Sequence, residues 1–125
     1  MEFRQMVTHF RELKCWQKSL ELSTTIYVLT ENLKDYEIRN QIRRASVSVM
    51  NNLAEGFGRK HDKDIIRFFE FSTSSCLEIE SMTYLLENLK IFEKSKIELI
   101  RNGAIEIYKM TAALSLTIKR RTNSI

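Results

Sequence analysis

The sequence predicts an all-α fold, an antiparallel up-down-up-down four-helix bundle, on three observations. The chain has no proline and only three glycines, Gly56, Gly58 and Gly103, so it lacks the residues that break helices and punctuate β-rich folds. Apolar residues recur at spacings of three and four along most of its length, the period of one helix face. The polar stretches between these runs are a few residues long, which makes consecutive helices antiparallel neighbours. A chain of 125 residues can enclose one good core and not two, so a single domain over 1–125 is expected. Its helices should lie at about 11–32, 36–57, 62–90 and 95–120.

The first helix carries two apolar rows, Leu13, Trp16, Leu20 and Tyr27 in one and Leu22, Ile26, Leu29 and Leu33 in the other. A polar break at 32–35 ends it. In the second, Ile38, Ile42, Ala45, Val49 and Leu53 keep helical spacing, while Val47, Met50, Ala54 and Phe57 widen the face enough to touch two neighbours. Gly56 and Gly58 are expected to end this helix with left-handed or extended backbone. The third helix starts at Asp62, suited as N-cap to accept from the first free amides, and runs through Ile65, Phe68, Phe69, Ser72, Cys76, Ile79, Met82, Leu86 and Leu89. Its middle, Ser72-Thr73-Ser74-Ser75, is poor in helix propensity, but small side chains admit a close neighbour, so a tight crossing is expected there. The fourth is the clearest, because Ile97, Ile100, Ala104, Ile107, Thr111, Leu114 and Ile118 form an a/d seam. The Thr111 hydroxyl can bond back to its own helix.

Charge is unevenly distributed. Residues 34–69 hold eight basic and five acidic side chains, residues 70–100 three and six, and residues 101–125 five and one. A basic side and an acidic side are therefore expected, on a chain whose net charge is +4. Residues 1–10 alternate charged and apolar types, so no leader, membrane span or membrane partner is expected and a cytoplasmic location follows. Cys15 and Cys76 show no metal-ligand spacing and read as reduced, half-buried thiols.

Catalytic chemistry finds little to build on, and neither an enzyme nor a cofactor is expected. A di-iron centre in such a bundle needs Glu three residues before His on two helices. The residues three before His9 and His61 are Met6 and Gly58, so no metal site is expected. Gly56-Phe57-Gly58 followed by Arg59-Lys60 is a poor phosphate loop, lacking a preceding strand and a third glycine. Glu78 and Glu80 cannot face each other on a helix.

Basic residues are the better lead. Arg39, Arg43 and Arg44 sit within two turns, and Arg59, Lys60, Lys63 and Arg67 surround the next helix start, with Lys119, Arg120 and Arg121 at the last helix end. Phosphate binding needs several such charges acting together. The competing reading is a solvated face with pairs such as Lys63 to Glu70 and Glu37 to Arg44. Tyr36 and Phe57 can stack on bases, although packing competes for Phe57. Asn52 and Glu55, flanked by Val49, Leu53 and Ala54, read as a buried, hydrogen-bonded pair that fixes helix register, with Arg43, Ser48 or Ser75 as partners.

The stretch from Gln41-Ile42-Arg43-Arg44-Ala45 through Asn52-Leu53-Ala54-Glu55-Gly56-Phe57-Gly58-Arg59 resembles the four-helix-bundle proteins encoded within intervening sequences of bacterial 23S ribosomal RNA genes, the S23 ribosomal protein-like family. Leu13 to Lys18, Arg67-Phe68 and Glu78 extend the match, while Met50, Leu33-Lys34 and Ser74 depart from the family's frequent proline, Phe-Pro and glycine. The family is known for ring-like homopentamers and is similar to nucleic-acid-binding accessory proteins of diversity-generating retroelements. The resemblance thus implies a pentameric binder of RNA or DNA, with Arg43, Arg44, Asn52, Glu55, Gly56, Gly58 and Arg59 as signature positions. The alternative is a scaffold in which surplus apolar residues, Val47, Met50 and Ile66, drive self-assembly and the acidic third helix docks a basic partner protein.

Overall fold

The computed structural model describes residues 7–123; of the stretch 1–10 read above, 1–6 lie outside the described residues. After a 3-10 turn, Phe10–Glu12, come four helices: α1 Lys14–Leu29, α2 Tyr36–Phe57, α3 Asp62–Asn88 and α4 Lys94–Asn123. None of the described residues is in a strand. Each helix packs on two others in cyclic order, α3 being held most extensively by α2 and α4.

Inter-helix contacts run in opposite order along every neighbouring pair. On α1 and α2, Ser23 meets Ser46 while the later Thr30 meets the earlier Arg43. On α3 and α4, Asp62 meets Arg121 and Thr83 meets Arg101. On α1 and α4, Lys18 pairs with Glu106, and Leu22 lies against Gly103. The bundle is up-down-up-down, as the short connections imply.

Helix ends follow local chemistry. His9 Nδ1 accepts from the Arg11 amide at 3.1 Å and opens the 3-10 turn. Leu13 is then extended (ψ 122), so α1 begins only at Lys14. Asp35 caps α2, its Oδ1 accepting from the Ile38 amide at 3.1 Å. The N-cap of α3 is His61 and not Asp62, which stands in the first turn. Its carboxylate is taken by the end of α4, where Arg121 and Thr122 both donate to it, and α4 accordingly continues past the expected 120. At the end of α3, Lys90 turns left-handed (φ 55). Its amide bonds Glu87 O and the Ile91 amide bonds Leu86 O, the paired closure of a Schellman motif.

The a/d seam of α4 is inside, with Ile97, Ile100, Ala104, Ile107, Thr111 and Ile118 buried. On α1 the row of Leu22 and Ile26 is core, while Leu20 and Tyr27 of the other row are exposed. Thr111 does not bond back to its helix; its hydroxyl lies beside the Cys15 thiol. Both cysteines are fully buried, at 2% and 1% exposure, where half-burial was expected. Burial pushes both thiols up, Cys76 to about 12 with the neighbouring Cys15 adding to the shift.

The tight crossing falls where the serine run predicts it. Ser72 Oγ donates to Val49 O at 2.8 Å, and Ser75 Oγ meets Ser48 Oγ at 2.9 Å. Gly56 completes this α2–α3 contact, since a β-carbon there would lie 2.9 Å from the ring of Phe69, itself fully buried. Neither Gly56 nor Gly58 is left-handed: no glycine has positive φ among the described residues, and Gly58 is right-handed helical at φ −79, ψ −5. Gly56 is thus required by space and Gly58 by neither space nor backbone.

Gly56→Ala should lower unfolding free energy in urea by about 2 kcal/mol through overpacking. Gly58→Ala should be neutral or stabilising by about 0.5 kcal/mol. A thiol reagent at pH 8 should modify neither cysteine until the chain unfolds. The native Cys76 thiol keeps its proton to about 12 against 9.0 for the ordinary thiol, so the unfolded state loses that proton first. Its contribution is intact below pH 9 and is lost as pH rises toward 12, and Cys76→Ala should flatten that decline in alkaline denaturation curves.

Candidate nucleic-acid interface

Antiparallel order decides which cations meet. The start of α1, the end of α2, the start of α3 and the end of α4 share one pole, which gathers Arg59, Lys60, Lys63 and Arg67 with Lys119, Arg120 and Arg121, and adds Arg11 and Lys14. Arg44 is 13 residues before Phe57, the last residue of α2, so Arg39, Arg43 and Arg44 stand about 20 Å or more from the pole. The sequence-level cluster is therefore divided in two.

Arg43 faces inward. Its Nε donates to the fully buried Thr30 hydroxyl at 2.9 Å, a terminal nitrogen donates to Tyr27 O at 3.0 Å, and the guanidinium lies 4.5 Å over the Tyr27 ring. It thereby satisfies a carbonyl left open at the end of α1. Arg101, not singled out above, does the same between α4 and α3, bonding Thr83 Oγ1 and Glu87 and lying 4.0 Å over Tyr84. Arg39 lies over Tyr36 at 4.4 Å, with its Nε buried and without a partner among the described residues. Arg44 is exposed beside Tyr36, Glu37, Asn40 and Gln41.

At the basic pole, four ion pairs use part of the charge. Arg59 binds Glu55 at 2.8 Å, Arg67 approaches Asp64 at 3.9 Å, Lys119 binds Glu70 at 3.0 Å, and Arg121 grips Asp62. The last is the most enclosed, its side chains 22% and 26% exposed. It places the carboxylate at the positive start of α3 and the guanidinium at the negative end of α4. Lys60, Lys63 and Arg120 are exposed and form no ion pair among the described residues. Between the pairs lies Phe68, with Arg59 4.6 Å and Arg67 5.4 Å from its ring and Phe71 edge-on at 5.8 Å. Phe57, proposed above for stacking, is half-buried against the core.

The pairs Lys63 to Glu70 and Glu37 to Arg44 do not form, because Glu70 is taken by Lys119 and Arg44 stays solvated. Asn52 bonds Ser48 O and Oγ at 2.8 and 3.0 Å, as its setting suggests. Glu55 is exposed and pairs with Arg59, so the two do not form one buried pair. No group of three His, Cys, Asp or Glu is placed to hold a metal ion among the described residues, and no helix among them is long and apolar enough to cross a membrane.

A family model described as 23S rRNA-intervening sequence protein matches residues 11–113. The chain belongs to that family. Among solved structures, one described as a protein with unknown function from the S23 ribosomal protein family of Bacteroides thetaiotaomicron is 24% identical and superposes with a TM-score of 0.77. The alignment covers 81% of this chain and 97% of that one, and it shows the shared fold. No curated protein matches the chain in sequence. The 23S rRNA-intervening sequence match takes in Arg59, Lys60 and Lys63, whereas Lys119, Arg120 and Arg121 lie beyond its last residue.

Arg43→Ala should cost about 2 kcal/mol in thermal or urea unfolding, because it leaves Thr30 and the Tyr27 carbonyl without their charged donor. Arg44→Ala, a solvated side chain, should change stability by less than about 0.5 kcal/mol.

Proposed function

We propose that this member of the 23S rRNA-intervening sequence family is a non-enzymatic cytoplasmic protein that binds RNA or DNA phosphates through its basic pole, as a homo-oligomer in which the pole is repeated. The observation that carries the reading is that antiparallel order puts Lys60, Lys63 and Arg120, three exposed cations without carboxylate partners among the described residues, at one pole of the bundle, where Phe68 lies against the Arg59 and Arg67 guanidiniums. Such charges release counterions together when they meet phosphates, and an aromatic ring among them offers a stacking surface for an unpaired base. Contacts of this kind orient a nucleic acid without reading its sequence. Arg59, Lys119 and Arg121 add to the local field while their carboxylates reduce it. Repetition of the pole around a ring, pentameric in the form the family resemblance implies, strengthens weak contacts through effective concentration. The binding role is favoured over catalysis by the state of the nucleophiles: both thiols are buried, and His9 is engaged in opening the 3-10 turn.

Titration of the full chain with structured ribosomal RNA and with duplex DNA at two salt concentrations tests this. Binding should weaken steeply with salt, and Lys60→Glu, Lys63→Glu, Arg120→Glu together should reduce the log-log salt slope by about 2 to 3 without lowering the melting temperature. Binding that ignores salt, or that survives the triple reversal, would refute the reading. Sedimentation at micromolar concentration tests assembly, and a strict monomer would remove the ring.

A further inference from the structure

Two phenylalanines of α3 near the basic pole differ in how they are covered. Phe68 is half-buried, with the guanidiniums of Arg59 and Arg67 over its ring at 4.6 and 5.4 Å. Phe71, one turn further on, is 49% exposed. It meets Phe68 with the ring planes at 88° and the centroids 5.8 Å apart, and no guanidinium lies over it among the described residues. One perpendicular neighbour covers at most one face of a ring, so Phe71 keeps aromatic surface in water.

Phe71 also ends a row. Lys63, Arg67 and Phe71 are all exposed, at i, i+4 and i+8 of α3, so each stands one turn, about 6 Å, beyond the last. Lys63 forms no ion pair among the described residues. Arg67 meets Asp64 only at 3.9 Å, through side chains 61% and 43% exposed, a pairing that water largely screens. Glu70 is engaged by Lys119 of α4. Two turns past Phe71 the charge reverses at Glu78, which accepts from Gln41. An anionic chain along the row is thus attracted from Phe71 toward the pole and repelled in the other direction. On the facing helix Asn52 stands level with Phe71: Ser48 meets Ser75, and in antiparallel helices four residues after the first is level with four residues before the second. Both amide hydrogens of Asn52 go to Ser48, and its Oδ1 accepts no bond among the described residues.

We propose that the basic pole takes a single-stranded nucleic acid, with one unpaired base stacked on the Phe71 ring and the neighbouring phosphates held by Arg67 and Lys63. The inference rests on the nucleic-acid reading of the pole and names its substrate class. Bases inside a duplex are covered by one another, so a ring on the convex side of a helix cannot reach their faces, whereas an unpaired base can turn out onto it. Every base has such a face, so the contact selects single strands without selecting sequence. Asn52 Oδ1 supplies an acceptor for a base N–H at the same level.

The test titrates fluorescein-labelled probes of equal length into the full-length chain by anisotropy: oligouridine RNA, oligothymidine DNA, a DNA duplex and an abasic deoxyribose-phosphate strand. At least one base-bearing single strand should bind more tightly than the duplex and the abasic strand, and the one that does distinguishes RNA from DNA. Phe71→Ala should weaken that binding by at least about fivefold, while the abasic and duplex probes stay within about twofold and the log-log salt slope is kept. Phe71→Leu, which retains apolar bulk without the ring, should weaken it in the same way, and Phe71→Trp should restore it. Circular dichroism checks that the variants stay folded. Undiminished single-strand binding by Phe71→Ala and Phe71→Leu, equal weakening of the abasic probe, or a duplex that binds more tightly than both single strands overturns the proposal. So does sedimentation showing that these variants convert an oligomer to monomers, which would assign the ring to a contact between copies. In each of these cases the loss of binding on reversing Lys60, Lys63 and Arg120 would still uphold the basic pole, whereas a native chain that binds none of the probes removes both readings.

Discussion

The close crossing of α2 and α3 is the constraint on which the rest of the arrangement depends. Ser72 donates to a backbone carbonyl of the facing helix, Ser48 and Ser75 share a hydrogen bond, and Gly56 lets the ring of Phe69 approach to van der Waals contact. A larger side chain at these positions would hold the helices apart. The hydrogen bonds do more than fill space, because each joins one defined pair of residues and so fixes how far one helix is slid along the other. With that register set, Asp62 stands opposite Arg121 and the end of α4 is anchored. Thr83 and Glu87 likewise stand where Arg101 can use them.

The fate of each arginine follows from what the register places beside it. Arg43 and Arg101 reach hydroxyls and either a backbone carbonyl or a carboxylate on the preceding helix, and both lie against a tyrosine ring. A guanidinium with several oriented acceptors gains charge-assisted hydrogen bonds that offset partial loss of water. Lys60, Lys63 and Arg120, at the ends of helices where the chain turns, remain in solvent. The same antiparallel order pairs Lys119 and Arg121 with carboxylates of α3 and leaves these three exposed at the same pole.

Much of the architecture was legible because burial repeats with the helix. The α4 seam, the core row of α1 and the serine crossing follow from spacing and side-chain size, both properties of the linear chain. Misreadings occurred where one residue type supports two local roles. Asp62 is a good N-cap by type, but a nearby guanidinium and hydroxyl make the ion pair its actual role, and His61 takes the cap position without a side-chain bond. Gly56 and Gly58 carry the same residue type and opposite necessities, one spatial and the other absent. The sequence also gathered Arg39 to Lys63 into one basic region, although a straight helix separates its two halves. Helix parity was the available signal: the first and third helix starts and the second and fourth helix ends must share a pole.

Read alone, the chain specified four amphipathic helices, their order and antiparallel connection, and membership of a motif-bearing family, because hydrophobic period, glycine scarcity and short polar links act over a few residues at a time. Only the tertiary structure decided which cations stay solvated, which carboxylates are used internally, and which apolar residues lack cover. Those outcomes depend on distances between residues as far apart as Asp62 and Arg121, and such distances are set by the depth at which side chains interlock and not by their spacing along the chain.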